Sequence, residues 1–569
     1  KGGNWPNAAN INPSAFVDAL FQTHLYTGNG GTQTITNDIN LSGSGGLVWI
    51  KERDNAESHQ LTDTERGNTK VLSSDGTAAE GTVTTRVTGF NSNGFSLGSN
   101  ASVNQSSTGY VSWTFRKQPK FFDVVTFSAT GSGSLTLSHN LGSAPAFIIV
   151  KSTSHTQSWY CYHHSLNGGT DPEDYFLKLD SNVAEAGPAS SYWGGTAPTS
   201  TQFTVGTDLN ISGRSYVAYL FAHNNDDGGF GEPGDQDIIK CGSYTGGTAT
   251  QEINVGFEPQ WVMIKNITSS EDWVIFDVMR NFVRQTSGSG NSSALRPNSN
   301  AAEGDQARVH PSASGFGFVD DTHNSVNASS QTYVYMAIRR GGMQTPTAAS
   351  DVFDVDINTQ AINSSNAPPR TPFPVDAAIY RNRGGSSSWV LGSRLQGTNA
   401  LFPNLTNAES DNYMTWDAMD GWNNSNSSWE ASGDFLFYGL KRARGYFDVV
   451  SYTGTGSART VSHNLGVAPE MMWIKNRGAT ENWVVYHSGI DSSTPEDYYL
   501  RLNQTSARID VDGGAGNRFN RTAPTTSVFT VGTDGDVNGD GVAYISYHFA
   551  TVANVSKVGS FTQSGATNV

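Results

Sequence analysis

The sequence predicts an all-β protein: a tandem array of about five antiparallel, jelly-roll-like β-sandwich domains, like beads on a rod. Three observations support this fold class. A strand motif recurs five times, the connections are rich in Gly, Ser, Thr and Asn, and no segment has a sustained helical period. At 569 residues the chain is too long for one core. Copies of about 95 to 115 residues match the usual size of a domain.

The recurring motif is a short apolar strand that ends in a basic residue, with an aromatic residue eight positions later. The basic residues are Lys51, Lys151, Lys265, Arg381 and Lys475. The residues eight positions on are His59, Trp159, Trp273, Trp389 and Trp483. A fixed offset indicates that one supersecondary unit has been copied. We predict that these Trp side chains are framework residues packed in cores, rather than platforms for sugars.

The fifth copy shows the elements of one unit in order. Runs of β-branched and aromatic residues, separated by Gly, Asn, Asp and Ser clusters, predict seven short strands. The predicted strands are 447–452, 459–461, 471–475, 483–487, 498–502, 528–531 and 543–549. The second copy matches the fifth closely, for example residues 122–125 with 447–450 and 203–208 with 529–534. Seven strands in about 105 residues are typical of an antiparallel sandwich.

Domain boundaries are predicted where the pattern gives way to polar, Gly-rich sequence. The predicted order is a connecting segment 1–22, repeat 1 (23–119), repeat 2 (120–229), repeat 3 (236–343), a degenerate repeat 4 (350–444), repeat 5 (446–551) and the start of a truncated sixth repeat (552–569). Residues 557–562 resemble 240–245, which open the third copy. We therefore expect the chain to be a segment of a longer polypeptide or a processed product.

Composition excludes several classes of partner. With 35 basic and 51 acidic residues the formal charge is −16, which would repel a phosphate backbone, so no nucleic-acid partner is expected. The sequence contains no apolar run of about 18 or more residues, so membrane insertion is not expected. Cys161 and Cys241 lie in apolar strands and are predicted to be buried thiols, with a disulfide between copies as the alternative.

One loop resembles a calcium site. Asp534 begins it, and Asp536, Asn538 and Asp540 match the first, third and fifth positions of a calcium-binding loop. The twelfth position, which should be a bidentate acid, is Tyr547. We predict a hairpin turn here and no cofactor, with bound calcium as the alternative.

Other polar groups that could carry chemistry are duplicated. Glu173-Asp174 recurs as Glu496-Asp497, and His139 recurs as His463. A catalytic group is needed once, whereas a strand-end turn is needed in every copy, so we interpret these residues as structural. No catalytic residue is predicted.

The best candidate for ligand binding lies in the degenerate fourth copy. Trp416, Asp417, Asp420, Trp422 and Asn423 combine ring faces with carboxylate and amide groups that could grip sugar hydroxyls. Trp422 lies among Gly and Asn residues, which predicts an exposed loop. The alternative is a loop that was repacked as the copy diverged.

The first copy carries a family resemblance in residues 26–30, 47–54, 88–98 and 110–113. These segments resemble a tandem β-domain of virion proteins of tailed bacteriophages, especially tail fibres and other structural proteins of marine phages that infect cyanobacteria. The resemblance covers nearly the whole chain, with the fourth copy matching poorly, and it implies no catalytic residues. An array of small β-domains also suits many weak contacts, whose linkage multiplies avidity.

The resemblance implies a non-enzymatic virion appendage at the virion surface, such as a tail fibre, attached to host-surface glycans. Expected partners are other virion proteins and host cell-surface polysaccharide, and a homo-oligomer is expected. Two rival functions stay open: a purely structural head-decoration or filament protein, and a polysaccharide depolymerase, which would need paired carboxylates in one cleft.

Overall fold

The computed structural model describes residues 16–562, except 233, 248–249, 285–291, 308, 320, 342, 359–369, 423–433 and 512–516. The chain is all-β, as predicted, and the helices within these residues are single turns. It divides into two compact units. The first comprises Lys1–Arg280, Asn291–Val309 and Gly317–Gly342, and the second comprises Asn281–Gly290, His310–Phe316 and Met343–Val569. Repeats 1 to 3 thus fall in the first unit, apart from two short segments of repeat 3, and repeats 4 and 5 fall in the second.

Each repeat contains one antiparallel main sheet with the same order of four strands. We name them, in chain order, the opening, basic, partner and closing strands. In the sheet, the closing strand lies between the opening and basic strands, and the partner strand lies beyond the basic strand. The opening strands are Phe21–Thr27, Phe122–Ser128, Ile239–Thr245, Phe353–Asn358 and Phe447–Thr453. The basic strands are Gly46–Glu52, Phe147–Ser152, Pro259–Asn266, Ala377–Asn382 and Met471–Asn476. The partner strands are Gln60–Asp63, Tyr160–His163, Val274–Asp277, Val390–Ser393 and Val484–His487. The closing strands are Gly109–Arg116, Ser215–Phe221, Thr332–Arg339, Phe435–Leu440 and Ala543–Phe549.

Repeats 1, 2, 3 and 5 each add a smaller sheet. Its strands are Gln33–Thr36, Val87–Asn91 and Gly94–Leu97 in repeat 1, Leu135–Ser138 and Gln202–Val205 in repeat 2, Gln251–Asn254, Val309–Ser312 and Gly315–Phe318 in repeat 3, and Arg459–Ser462 and Val528–Val531 in repeat 5. In repeat 5, Ile474 and Tyr544 of the main sheet share a core cluster with Phe529 and Val531 of the smaller sheet. The core therefore lies between two sheets, as in a sandwich.

Short elements complete the chain. Leu177–Lys178 extends the main sheet of repeat 2, and Tyr498–Arg501 and Ile509–Asp510 extend that of repeat 5. Lys70–Val71 pairs with Gly81–Thr82, and Ser292–Ala294 pairs with Gly304–Ala307. The α-helical turns are Leu41–Ser44, Ala101–Asn104 and Gly535–Asn538. The 3₁₀ turns are Val17–Ala19, Leu166–Gly169, Pro172–Asp174, Ala349–Asp351, Arg394–Gln396 and Pro495–Asp497. The structure contains all seven strands predicted for the fifth copy.

A buried Asn fixes the approach to the closing strand in four repeats. The residues are Asn104, Asn210, Asn327 and Asn538, each six positions before a Tyr of the closing strand. Asn538 accepts the N–H of Thr455 through Oδ1 (2.9 Å), and its Nδ2 donates to the carbonyls of Ser457 (2.7 Å) and Gly532 (2.6 Å). It thereby satisfies backbone groups of the loop that follows the opening strand and one carbonyl directly after the strand Val528–Val531. We call these four residues the Asn clamps.

Candidate functional sites

The aromatic residues of the predicted glycan site are buried. Trp422 is 3% exposed, and its ring stacks on that of Tyr380 with centroids 5.3 Å apart. Trp416 belongs to the same core cluster, and its Nε1 donates to the carbonyl of Gly397 (2.7 Å). The prediction that Trp422 lies in an exposed loop is therefore wrong, and neither ring offers a free face to a sugar. The packing of the two rings supports the alternative of a repacked loop.

The polar members of that candidate site lie at the surface. Asp417 and Asp420 are exposed, and Asp420 forms an exposed ion pair with Arg370 (3.1 Å). Asn423 lies outside the described residues. The structure thus separates the exposed carboxylates from the buried rings, so the combination of ring face and carboxylate does not form here.

The calcium-like loop is a single helical turn, Gly535–Asn538, that connects strands of two different sheets. The hairpin prediction is therefore wrong. Asp534 caps the turn by accepting the N–H of Asp536, and Arg518 pairs with Asp534 (3.3 Å) and Asp536 (2.5 Å). Asn538 is an Asn clamp, and Asp540 is exposed. Within the described ranges, no group of three or more His, Cys, Asp or Glu side chains is placed to hold a metal.

The duplicated histidines bond to the backbone. His139 and His463 each accept the N–H of the Leu two residues later, and each Nε2 lies 3.2 Å from a carbonyl, of Thr199 and Thr525. This confirms their interpretation as strand-end hydrogen-bonding residues. The acids of both Pro-Glu-Asp segments lie in 3₁₀ turns. Cys161 and Cys241 are buried free thiols, so the alternative of a disulfide is wrong.

The basic residue of the repeated motif is buried in four copies: Lys51, Lys151, Lys265 and Lys475. The Nζ atoms donate to backbone carbonyls, as Lys475 does to Asn476 (2.7 Å) and Ala479 (3.0 Å). Burial lowers the pKa of each lysine to about 8. A lowered lysine pKa is common in active sites. Here the same backbone-bonded group occurs four times, which indicates a framework role.

Four of the five framework aromatics bond to a different repeat, and we call such a contact between two repeats a joint. Trp159, Trp273 and Trp483 are buried, as predicted. The Nε1 atoms donate across the joint, from Trp159 to Ser73 (3.0 Å), from Trp273 to Lys178 (2.9 Å) and from Trp483 to Phe402 (3.0 Å). His59 takes the same role, with Nε2 lying 3.0 Å from the carbonyl of Arg296 in repeat 3. These residues therefore stabilise contacts between repeats, which their offset alone did not indicate.

A glutamate at an equivalent position makes a second contact at each joint. Its backbone N–H donates to a backbone carbonyl in the neighbouring repeat. The residue that carries this carbonyl lies two positions after the basic residue of the repeated motif. The pairs are Glu80 with Thr153 (2.8 Å), Glu185 with Ile267 (3.1 Å), Glu303 with Arg53 (2.8 Å) and Glu409 with Arg477 (2.8 Å). These joint acids were not predicted, although the sequence carries a signal for them. An Asp or Asn lies five positions before each joint acid, and its side chain accepts the backbone N–H of the framework aromatic in the same repeat. These residues are Asp75, Asp180, Asn298 and Asn404.

The three repeats of the first unit close a ring of contacts. Repeat 2 contacts repeat 1, repeat 3 contacts repeat 2, and repeat 1 contacts repeat 3. Each contact includes one hydrogen bond from a framework aromatic and one from the backbone N–H of a joint acid. The Phe115 ring of repeat 1 lies 5.6 Å from Phe221 of repeat 2 and 6.2 Å from Trp261 of repeat 3. In the second unit, repeats 4 and 5 share one core cluster, which includes Leu401 and Trp483.

Comparison with known proteins identifies a family for this chain. A family model described as a domain of unknown function, DUF7483, matches residues 13–340 and 392–569. No curated protein matches significantly. Within the described part of the chain, no helix is long and apolar enough to cross a membrane.

Proposed function

Because the chain belongs to the DUF7483 family, whose description gives no activity, we propose a function from the chain's own residues: a non-catalytic structural protein of a phage virion surface, such as a tail fibre. The observation that carries this proposal is the use made of the repeated polar residues. The buried lysines, four of the five framework aromatics and the joint acids serve backbone contacts within or between repeats. Such an array suits a projection that must resist mechanical force.

The proposed location on a phage virion rests on the resemblance of repeat 1 to tandem β-domains of tailed-phage virion proteins. The test is to raise an antibody against the chain and label particles from a lysate of the source host for electron microscopy. We expect label on a surface projection. Label absent from intact particles, with the protein abundant in the soluble lysate, would reject a virion role.

Host-glycan attachment and a purely structural role are the two forms of this proposal. The burial of Trp416 and Trp422 favours the purely structural role, because stacking rings were the main support for sugar binding. Binding of the full chain to a bacterial glycan array discriminates between them. Specific signals that survive Asp417→Ala and Asp420→Ala would support an adhesin with its site elsewhere, and signals that these changes abolish would place it in repeat 4.

A depolymerase is the rival from another class. Incubation with host polysaccharide should release no new reducing ends if the protein is non-catalytic. Release of reducing ends by the purified full chain would overturn the proposal, and single substitutions of exposed carboxylates would then locate the pair.

A further inference from the structure

Repeat 4 exposes a sheet face that is covered in the other repeats. Val355, the third residue of its opening strand, is 46% exposed. The residues that occupy the same position in the strand pairing are Thr23, Val124, Cys241 and Val449, and each is at most 3% exposed. Ile379 and Tyr438, on the neighbouring strands, are half-buried rather than buried. In the other four repeats a neighbouring repeat packs at this face.

The polar groups of this face also lack the partners that their counterparts have. Tyr438 corresponds in the strand pairing to Trp113, Tyr219 and Tyr547. Those three donate across a joint, to Asp277 (3.1 Å), Asp63 (2.8 Å) and Gln396 (2.5 Å). Among the residues that the structure describes, the hydroxyl of Tyr438 and the Nε1 of Trp389 have no hydrogen-bond partner. Trp389 is the framework aromatic of repeat 4, and it is half-buried.

Repeat 5 presents the complementary acceptor. In repeats 3 and 4, the carbonyls of Arg296 and Phe402 each accept the backbone N–H of the residue three positions later (3.0 Å each). The same two carbonyls also accept a ring N–H from a neighbouring repeat, of His59 and Trp483 respectively. In repeat 5 the carbonyl of Arg501 accepts the N–H of Gln504 in the same turn (3.2 Å). In the described ranges no aromatic donor reaches it, so one lone pair is available.

The sequence has a matching period of three repeats. Repeat 2 resembles repeat 5, and residues 557–562 resemble the opening strand of repeat 3. Phe561 is 94% exposed, whereas its counterpart Tyr244 is buried and stacks on Tyr333 with centroids 5.0 Å apart. Lys557–Thr562 therefore has the sequence of an opening strand but no sheet in the described structure.

We propose that repeats 4 and 5 are two thirds of a second three-repeat ring, and that a third domain of the same repeat, opened by residues 557–562, closes it. Its framework aromatic donates to the carbonyl of Arg501. A carbonyl of this domain accepts from Trp389. Its joint acid binds Arg383, which stands two residues after Arg381 as Arg53 and Arg477 stand two residues after their lysines.

The first test asks whether the face is open, and it uses the 569-residue chain. Val355→Lys should leave the melting temperature of the second unit almost unchanged, because the new ammonium group can reach water. Val449→Lys, the matched change at the same strand position in repeat 5, should lower it strongly, because repeat 4 covers that site. Equal destabilisation by both changes would show that the face is already covered, and the proposal would fail.

The second test supplies the missing domain. Residues 246–343 of this chain, which complete repeat 3, are appended after Thr562 so that residues 557–562 become the opening strand of a sixth domain. Hydroxyl-radical footprinting should then show several-fold protection of Trp389 and Tyr438 relative to the 569-residue chain. Ala in place of the grafted copy of Trp273 is the control, and it should reduce the protection.

A charge exchange checks the register of the joint in the extended chain. Arg383→Glu should lower the melting temperature, and Arg in place of the grafted copy of Glu303 should restore it. A grafted domain that resists proteolysis, and is therefore folded, but leaves Trp389 as reactive as before would overturn the proposal.

Discussion

Arg53 and Glu303 lie 250 residues apart in sequence and form a bidentate ion pair, with N–O distances of 2.8 and 2.9 Å. Glu303 also accepts from Arg280 (3.0 Å), whose side chain is fully buried. Burial alone would raise the pKa of Glu303, but attraction to Arg280 and Arg53 outweighs it and lowers that pKa. This pair belongs to the joint between repeats 3 and 1, which closes the ring of the first unit.

We predict that Glu303→Gln destabilises the first unit by about 3–5 kcal/mol, because it leaves buried guanidinium groups with too little negative charge. Denaturant unfolding measures the change. Glu65→Gln is the control, since Glu65 pairs with Lys117 at the surface and should contribute at most about 1 kcal/mol. Similar losses for both variants would show that the joint pair has no special weight.

Trp422→Ala and Trp483→Ala should both destabilise the second unit, each by about 3–5 kcal/mol, because both remove a large buried ring. Thermal and denaturant unfolding measure the losses. Asp417→Ala, a change at an exposed neighbour, should stay within about 0.5 kcal/mol of the original. A Trp422→Ala variant as stable as the original chain would restore the prediction of an exposed loop.

Asn538→Ala should destabilise repeat 5 by about 1–3 kcal/mol, because it leaves the N–H of Thr455 and the carbonyl of Gly532 without their partner. Asp540→Ala, nearby and exposed, is the control. Differential scanning calorimetry with and without added calcium tests the metal alternative in the same loop. A rise in melting temperature with calcium that Asp536→Asn abolishes would contradict the framework interpretation of these residues.

Acidification should destabilise the first unit. Burial, with the nearby charge of Lys51, lowers the pKa of His59 from 6.5 to about 3, and burial lowers that of His24 to about 4. As the pH falls below 6.5, the unfolded chain binds protons that the folded chain does not, so stability present above pH 6.5 is lost progressively. His59→Gln should reduce the loss of melting temperature between neutral and acidic buffer, whereas His155→Gln at an exposed site should not. An unchanged pH dependence in His59→Gln would contradict the assignment.

The sequence predicts that residues 446–551 fold alone, and the shared core of repeats 4 and 5 qualifies that expectation. Trp483 and Tyr547 of repeat 5 pack with Leu391 and Leu401 of repeat 4. We expect the fragment 446–551 to melt at a lower temperature than the fragment 350–551, because separation exposes this apolar surface. Circular dichroism of the two fragments measures the difference. Equal melting temperatures would mean that the shared cluster adds little stability.

The strands were predictable because their signal is local. Alternating apolar and β-branched residues between Gly and Asn clusters defined all seven strands of repeat 5. The joints were not predictable from the sequence, because residues such as Trp483 and Phe402 meet through tertiary packing between repeats. The burial of Trp422 was not predicted for the same reason. Its Gly and Asn neighbours indicate a loop, but Tyr380, far away in sequence, determines its burial. The Asn clamps carry a fixed six-residue offset from a Tyr, which comparison of the copies could have revealed.

The position of the closing strand has a consequence for synthesis on the ribosome. The closing strand is the last of the four main-sheet strands to emerge, yet among the residues that the structure describes it is the only main-sheet partner of the opening strand. Gly46–Glu52 and Gln60–Asp63 can pair as a hairpin early, but Phe21–Thr27 must wait for Gly109–Arg116. Each nascent repeat therefore carries one unpaired strand for most of its translation, and such an edge can pair with other chains. Slower translation should lengthen the time during which the opening strand of each repeat lacks its partner, and it should therefore increase aggregation.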